Sequence, residues 1–327
     1  MDEKCLRVGV GFATGRRSFQ NVLRSYVYHL EESGFVAPGR VSLTLLVAFD
    51  PAYSGTARAD YEDMEPRVRQ WFDEAAFFSP EDVENAAEAL VKRGVAPAEE
   101  KRLLFGNGYA AQRNMALYEA MRRHLDCLIF FDDDEYPMAV TSSDSAGVAL
   151  WSGQHVIEAH VKYLRFADVT NGYHCGSPLP SLELDGILDE NTFRRFIAAM
   201  SSDVLKWEDV RATIRGGGVT YADRAVLTQS GPTLVEEVDH AKFITGGNLG
   251  LNLSDPEKIP PFYNPPGARG EDSFFSTCLS NCVVKRVPAY TFHDGFSLYS
   301  DLLRGVLPTK LKSVSLYDSR AVTERFL

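Results

Sequence analysis

An apolar run, Leu128-Ile129-Phe130-Phe131, ends abruptly in four carboxylates, Asp132-Asp133-Asp134-Glu135. Strand interiors disfavour Asp, and carboxylates packed this closely repel one another. The arrangement is best stabilised by a positive charge. At the C-terminal end of a parallel strand, where open α/β sheets bind their ligands, that charge would be a divalent cation carrying phosphates. The plainer alternative is a solvated acidic turn. Three other segments hold residues able to do chemistry with it. They are Gly108-Tyr109-Ala110-Ala111-Gln112-Arg113-Asn114 just upstream, Thr245-Gly246-Gly247-Asn248 with Gly270-Glu271-Asp272 after it, and Phe292-His293-Asp294-Gly295.

These segments need a scaffold, and the first half of the chain supplies a strand–helix alternation. Leu6 to Phe12 reads as a buried strand, followed by a loop over residues 13–17. Val22, Leu23, Tyr26, Val27 and Leu30 fall at helical spacing and Gly34 ends that run. Val41 to Phe49 is a second strand, closed by Asp50-Pro51. Ser79-Pro80-Glu81-Asp82 has the composition of a helix start: a capping hydroxyl, proline in the first turn, then acids at the positive end. Leu103-Leu104-Phe105 reads as a short strand, Ala110 to His124 as a helix, and then comes the strand bearing the acids. Such alternation predicts an α/β fold with a doubly wound, mostly parallel sheet. Beyond about residue 140 the pattern loosens. Residues 177–180 and 215–218 read as loops and 191–200 as a helix, and the tail from Pro308 reads as a surface segment with a weak membrane-surface contact as its second reading.

Composition removes several classes of function. The net charge of −11 argues against nucleic acid, which needs a basic footprint. A nucleotide ligand remains open, because a bound metal can supply the local positive charge. The five cysteines are scattered. Cys278 and Cys282 are spaced to share a helical face, but no partners stand at zinc spacing. Met1-Asp2-Glu3-Lys4 leads straight into a strand without a leader pattern, and no apolar run approaches the ~20 residues that span a bilayer. The expectation is a cytoplasmic protein with reduced thiols. His155 and His160 could suggest a second metal site, but at this spacing they would lie on different faces of a helix.

The order of these motifs resembles a metal-dependent glycosyltransferase of the GT-A fold, and is most similar to the large glycosyltransferase family 2. The match lies in a helix opening on Arg113-Asn114, a strand ending in Asp-x-Asp, the Gly-Gly-Asn segment, Gly-Glu-Asp and a late His, over roughly residues 6 to 300. The resemblance implies a nucleotide-sugar-binding half (1–140), an acceptor-binding and catalytic half (141–305) and a C-terminal surface segment (306–327). It implies a nucleotide-diphosphate donor, UDP-linked in preference to GDP-linked, and an acceptor hydroxyl. Asp132 would face the ribose with Asp133 as helper. Asp134 and His293 would hold Mn²⁺ or Mg²⁺, and the imidazole tilts the choice toward Mn²⁺. The metal would stabilise charge on the departing diphosphate. Asp272, with Glu271 as the alternative, stands where inverting members keep their base; the same acids also suit a helix N-terminus. Thr14, Asp50, Gln112 and Arg113 would line the nucleotide pocket, and Gly246, Gly247 and Asn248 the place where sugar and acceptor meet.

Two stretches depart from the family pattern: Ala13-Thr14-Gly15-Arg16-Arg17 after the first strand and Asp50-Pro51-Ala52-Tyr53 after the second. They leave base and sugar open. The long region from Trp151 to Gly218 would shape the acceptor site. Gly15-Arg16-Arg17 faintly echoes a sugar-phosphate nucleotidyltransferase, which is the alternative enzyme. A non-catalytic nucleotide- or sugar-binding protein of the same fold is the alternative without chemistry.

Overall fold

The computed structural model describes residues 5–36, 39–106, 108–143, 147–177, 219–263, 270–299 and 310–311. The expected helix at 191–200, the loops at 178–180 and 215–218, Arg269 and nearly all of the 306–327 tail lie outside the described residues. The chain forms two compact units. The first is Met1–Asp133 with His155–Gly172 and Gly231–Val287; the second is Asp134–Gln154 with Tyr173–Ser230 and Pro288–Leu327.

The first unit is built on β1 (Leu6–Thr14), β2 (Val41–Phe49), β3 (Glu74–Phe78) and β4 (Cys127–Phe131). These four are mutually parallel in the order β3-β2-β1-β4. Every residue of β4 is buried, as expected of a strand covered on both faces. Successive side chains divide between those faces. Phe131 stacks on Tyr26 of α1 (Phe19–Ser33) at 3.9 Å between ring centroids. Leu128 and Phe130 instead join the core of α7 (Tyr109–Arg122), with Met115, Ala116 and Ala120. Helices on both faces follow from that alternation. A Cβ on Gly9 or Gly11 would come within 3 Å of Leu128 or Phe130, so bare backbone in β1 makes room for the bulk of β4.

The chain returns through α8 (Val156–Leu164), β8 (Val169–Ser177) and β10 (Leu249–Asn252). β10 runs antiparallel to both β4 and the start of β8, so the sheet is mostly parallel rather than wholly so. α10 (Glu271–Thr277) and the first residues of β11 (Val284–Asp294), which pair with β9 (Thr233–Leu234), complete this unit. It is a mixed α/β arrangement compatible with a Rossmann-like fold. In the second unit β5 (Glu135–Tyr136) pairs antiparallel with Phe292 and His293 of β11, and β6 (Ala139–Ser143) forms a hairpin with β7 (Gly147–Trp151).

Most sequence-based expectations hold within a residue or two. The helix from Ser79 carries its capping box, and Gly34 closes its helix at φ 63°. Four do not hold. Leu103-Leu104-Phe105 is not a strand but the end of α6 (Lys101–Phe105). Three consecutive apolar residues fit either period, and the helix-forming Glu99, Glu100, Lys101 and Arg102 before them decide it. Ala13 and Thr14 extend β1 instead of opening a loop, which buries Thr14 completely. Cys278 and Cys282 share no helical face, because α10 ends at Thr277. His155 caps α8 rather than lying in it. Short helices fill the remaining connections: α2 (Pro51–Ser54), α3 (Ala59–Glu62), α4 (Pro66–Arg69), α5 (Pro80–Lys92) and α9 (Arg224–Leu227).

Candidate active site

Two of the acids that end β4 belong to the first unit, and each meets its own cation. Asp133 is buried; it accepts from the Thr14 hydroxyl at 2.6 Å and from Arg16 Nη1 at 3.0 Å. Arg16 also lies 5.6 Å over the Tyr53 ring. Asp132 remains about one-third exposed (35%) and accepts from Arg113 Nη2 at 2.7 Å. Separate guanidinium partners explain how neighbouring carboxylates coexist at a strand end.

Arg113 gathers three of the sequence motifs. Its side chain is 3% exposed, and it donates to Asp132, to Glu271 Oε1 at 3.2 Å and to the Gly246 carbonyl at 2.8 Å. The rings of Phe130 and Phe262 flank it at 5.2 and 5.8 Å. Burial alone would lower its pKa, but Asp132, then Glu271 and Asp272, more than offset this and raise it. The adjacent Asn114 accepts from Phe262 N and donates to Phe262 O, both at 2.8 Å, and donates to Leu104 O at 2.7 Å, so the start of α7 is tied to two other segments.

α10 presents Asp272 beside this hub. Gly270 takes φ 102° at the cap, a conformation that suits glycine. Asp272 accepts from Ser273 N at 2.8 Å and from Gly246 N at 3.2 Å. Its pKa is raised, chiefly by burial and then by Glu271. The helix-start argument alone expects a depressed value; here desolvation outweighs it.

The Thr245–Asn248 loop is held by a residue with no motif around it. Fully buried Asn171 donates to the carbonyls of Thr245 at 3.2 Å, Gly247 at 3.4 Å and Asn248 at 3.0 Å, and accepts from Thr245 N at 3.2 Å. Arg286 Nη1 donates to the same Asn171 oxygen at 2.6 Å. Asn248 sits at φ 49° and its Oδ1 is 2.8 Å from His160 Nε2, whose other nitrogen is 2.7 Å from Thr170 Oγ1. His160 is therefore a buried structural partner of the loop.

Thr14, Asp50 and Gln112 line one small cavity with Gly15, Tyr53 and Tyr109. Asp50 and Gln112 also line a cavity of about 880 Å³ walled by Phe49, Val83, Phe105 and Ala111. Asp50 Oδ1 caps α2 by accepting from Ala52 N at 2.9 Å.

In the second unit, Asp134 Oδ1 lies 3.2 Å from His293 Nε2, with both side chains largely buried (11% and 16% exposed). Behind them Glu135 lies 3.0 Å from His174 Nδ1 and accepts from Thr291 Oγ1 at 3.2 Å. Burial would raise the Glu135 pKa, but His174 and then His293 bring it below the ordinary value. Asp294 accepts from Leu298 N and Tyr299 N at 2.8 and 3.0 Å, and burial raises its pKa. Neighbouring ligands of an octahedral cation at ~2.1 Å lie roughly 3 Å apart, so the Asp134–His293 spacing fits two adjacent coordination positions. Among the described residues no group of three His, Cys, Asp or Glu forms a metal cage. That donor set suits an ion completed by phosphate oxygens and water, the usual Mg²⁺ or Mn²⁺ arrangement.

The motifs expected to act together thus meet within each unit: Asp132, Arg113, Gly246, Glu271 and Asp272 in one, Asp134 and His293 in the other. Arg286 was not named from the sequence. Arg16 and Asn114 were named only as parts of motifs, and Asn171 only as part of the long region expected to shape the acceptor site, without the bonds they make here. No protein-family model matches the chain, and no curated protein matches it. Among solved structures the chain is similar to mouse xyloside xylosyltransferase 1 in its apo form, at 12% identity and a TM-score of 0.25, over 51% of this chain. The chain spans about half (53%) of the length of that protein. Among the described residues no helix is long and apolar enough to cross a membrane.

Proposed function

We propose that the chain is a GT-A-type, family-2-like glycosyltransferase, transferring a sugar from a nucleotide-diphosphate donor to an acceptor hydroxyl with inversion. The observation that carries this reading is the Arg113 hub, which joins the Asp132 carboxylate to Glu271, to the Gly246 loop and hence to Asp272. Residues 158 positions apart meet there, which brings the Asp-x-Asp, Gly-Gly-Asn and Gly-Glu-Asp segments to one guanidinium; Arg113, expected to line the nucleotide pocket, is instead engaged with protein acceptors.

In this reading the large cavity takes the nucleotide and Asp132 meets the ribose. Asp134 and His293 hold Mn²⁺ or Mg²⁺, which when bound supplies positive charge to the leaving diphosphate. Arg113 is a positioning residue, because its guanidinium is buried among protein acceptors. Asp272 takes the proton from the acceptor hydroxyl. Its raised pKa makes the carboxylate more basic than an ordinary Asp, as a general base requires. The Gly246–Asn248 backbone, held by Asn171, lines the place where sugar and acceptor meet.

The test is a screen of sugar nucleotides with Mn²⁺, scored by release of nucleoside diphosphate. Turnover that Asp272→Asn abolishes while donor binding persists supports the reading. Pyrophosphate release from a sugar 1-phosphate and a nucleoside triphosphate would make the protein a nucleotidyltransferase instead. Donor binding without any turnover would make it a binding protein.

A further inference from the structure

We propose that Gly176 is a positioning residue for the metal: its bare α-carbon sets where the main chain of His293 runs, and so holds the imidazole beside Asp134. The inference rests on the metal-ligand reading above and adds what keeps that pair in place.

Gly176 lies near the end of β8 at φ 111°, a conformation that residues with a Cβ rarely adopt. Its N–H donates to the Thr220 carbonyl at 2.7 Å, and its own carbonyl accepts from Thr220 N at 2.8 Å. Both polar groups are therefore spent on Thr220, and the α-carbon is left against β11. A Cβ added there would stand 2.4 Å from the His293 carbonyl oxygen, 2.9 Å from His293 N and 3.1 Å from its carbonyl carbon. All three are main-chain atoms, so no side-chain rotation relieves the clash. Gly176, Thr220, His293 and Asp134 all belong to the second unit.

Magnitudes decide what this contact does. The closest distance is about 1 Å short of the 3.4 Å at which ordinary contact begins. A metal site holds its ligand distances to within about 0.2 Å. Even shared between two strands, a displacement of that size moves His293 by more than coordination tolerates. Asp134 is not free to follow. It lies on the other flank of β11, where its carbonyl accepts from Asp294 N at 2.9 Å, and it continues directly from Asp133, whose carboxylate Thr14 and Arg16 hold. Pushing β11 therefore changes the 3.2 Å spacing between Asp134 Oδ1 and His293 Nε2 instead of carrying both ligands along.

The experiment titrates Mn²⁺ alone into the full chain and reads the free ion by electron paramagnetic resonance. Gly176→Ala is expected to weaken Mn²⁺ binding by about 10–100-fold, as loss of an outer partner of a metal site does. Gly9→Ala is the packing control. Its Cβ would crowd Leu128 and Leu125 at 2.8 and 2.9 Å in the first unit, and its Mn²⁺ affinity should match the wild type. Wild-type affinity in Gly176→Ala, or an equal loss in Gly9→Ala, overturns the inference while leaving the metal reading intact. Should Gly176→Ala not fold, hydrogen exchange of the wild-type chain decides. Mn²⁺ should slow exchange over 173–177 and 219–222 together with 288–294, and leave the β6–β7 hairpin unchanged. No slowing over 173–177 and 219–222, or equal slowing of the hairpin, overturns the inference. Mn²⁺ that fails to bind the wild type, or binds His293→Ala equally well, overturns the metal reading along with it.

Discussion

Asp272 and Arg113 are the two side chains whose environments say most about chemistry. A base must be ionised to work, and the Asp272 pKa lies above the ordinary carboxylate value because of burial and then Glu271. The rate should therefore fall as pH drops through that raised value, giving kcat/KM an acid limb above the usual Asp range. A profile flat down to the ordinary Asp range would remove Asp272 from the role. Asp272→Asn should lower kcat by about 10²–10⁴ with donor affinity unchanged, read by steady-state kinetics and calorimetry. The same raised pKa makes a stability prediction. The folded state holds the proton more tightly, so the contribution is fully present below the unfolded pKa and is lost as pH rises through the folded one. Asp272→Asn should remove that part of the pH dependence in urea melts. Arg113 is the inverse case, a buried cation under carboxylates. Replacing it with Met strands Asp132 and Glu271 without their partner and should cost about 3–5 kcal/mol in urea denaturation. Arg113→Lys keeps the charge but cannot reach three acceptors at once, so its melt should fall between those of wild type and Arg113→Met.

At the scale of elements, the site depends on how β8, β10 and α10 are fastened together. Asn171 of β8 bonds three carbonyls and one N–H of residues 245–248 through its side chain. Asn171→Ala would remove these bonds; the Asn248 carbonyl would keep Gly172 N and the Gly247 carbonyl the Thr245 hydroxyl, so the loss falls on the Thr245 backbone. A loss of about 2–4 kcal/mol is expected, together with a fall in kcat larger than any change in donor affinity. A melt within ~0.5 kcal/mol of wild type would mean that the loop holds itself. Asn171 lies in the long region expected to shape the acceptor site, and the reason its bonding to this loop was not legible is physical. β1, β2, β4, α1, α5 and α7 announce themselves through local pattern: continuous apolar runs, helical spacing and caps. The Asp-x-Asp, Gly-Glu-Asp and His293 segments were legible because a run of four acids occurs once, histidines number seven, and their order is distinctive. Asn171 lies 77 residues from the loop it holds, and a lone Asn in a polar stretch looks like any other. α6 misled for the opposite reason, since three apolar residues are too few to reveal a period.

For the whole molecule, charge sets the terms on which a donor can bind. A chain of net charge −11 repels a nucleoside diphosphate over distances up to about the Debye length, roughly 10 Å at 0.1 M salt. Arg113 and Arg16 do not relieve this, because both are already engaged with acids of the chain. In the proposed reading a cation at Asp134 and His293 would add attraction for the phosphates to that of Lys101 and Arg102, which line the large cavity. Nucleoside diphosphate binding should therefore weaken with EDTA and recover with Mn²⁺. His293→Ala should raise the Mn²⁺ needed for half-maximal binding by at least the roughly 10–100-fold that loss of even an outer partner of a metal site costs. Salt gives an independent check of the same argument. Screening weakens repulsion as well as attraction, so metal-free nucleotide should bind somewhat better as salt rises, while the Mn²⁺-loaded form, with most of its charge neutralised, should respond less. A nucleic-acid-like collapse of metal-free binding with rising salt would mean that a basic surface, not a cation at Asp134 and His293, recruits the phosphates.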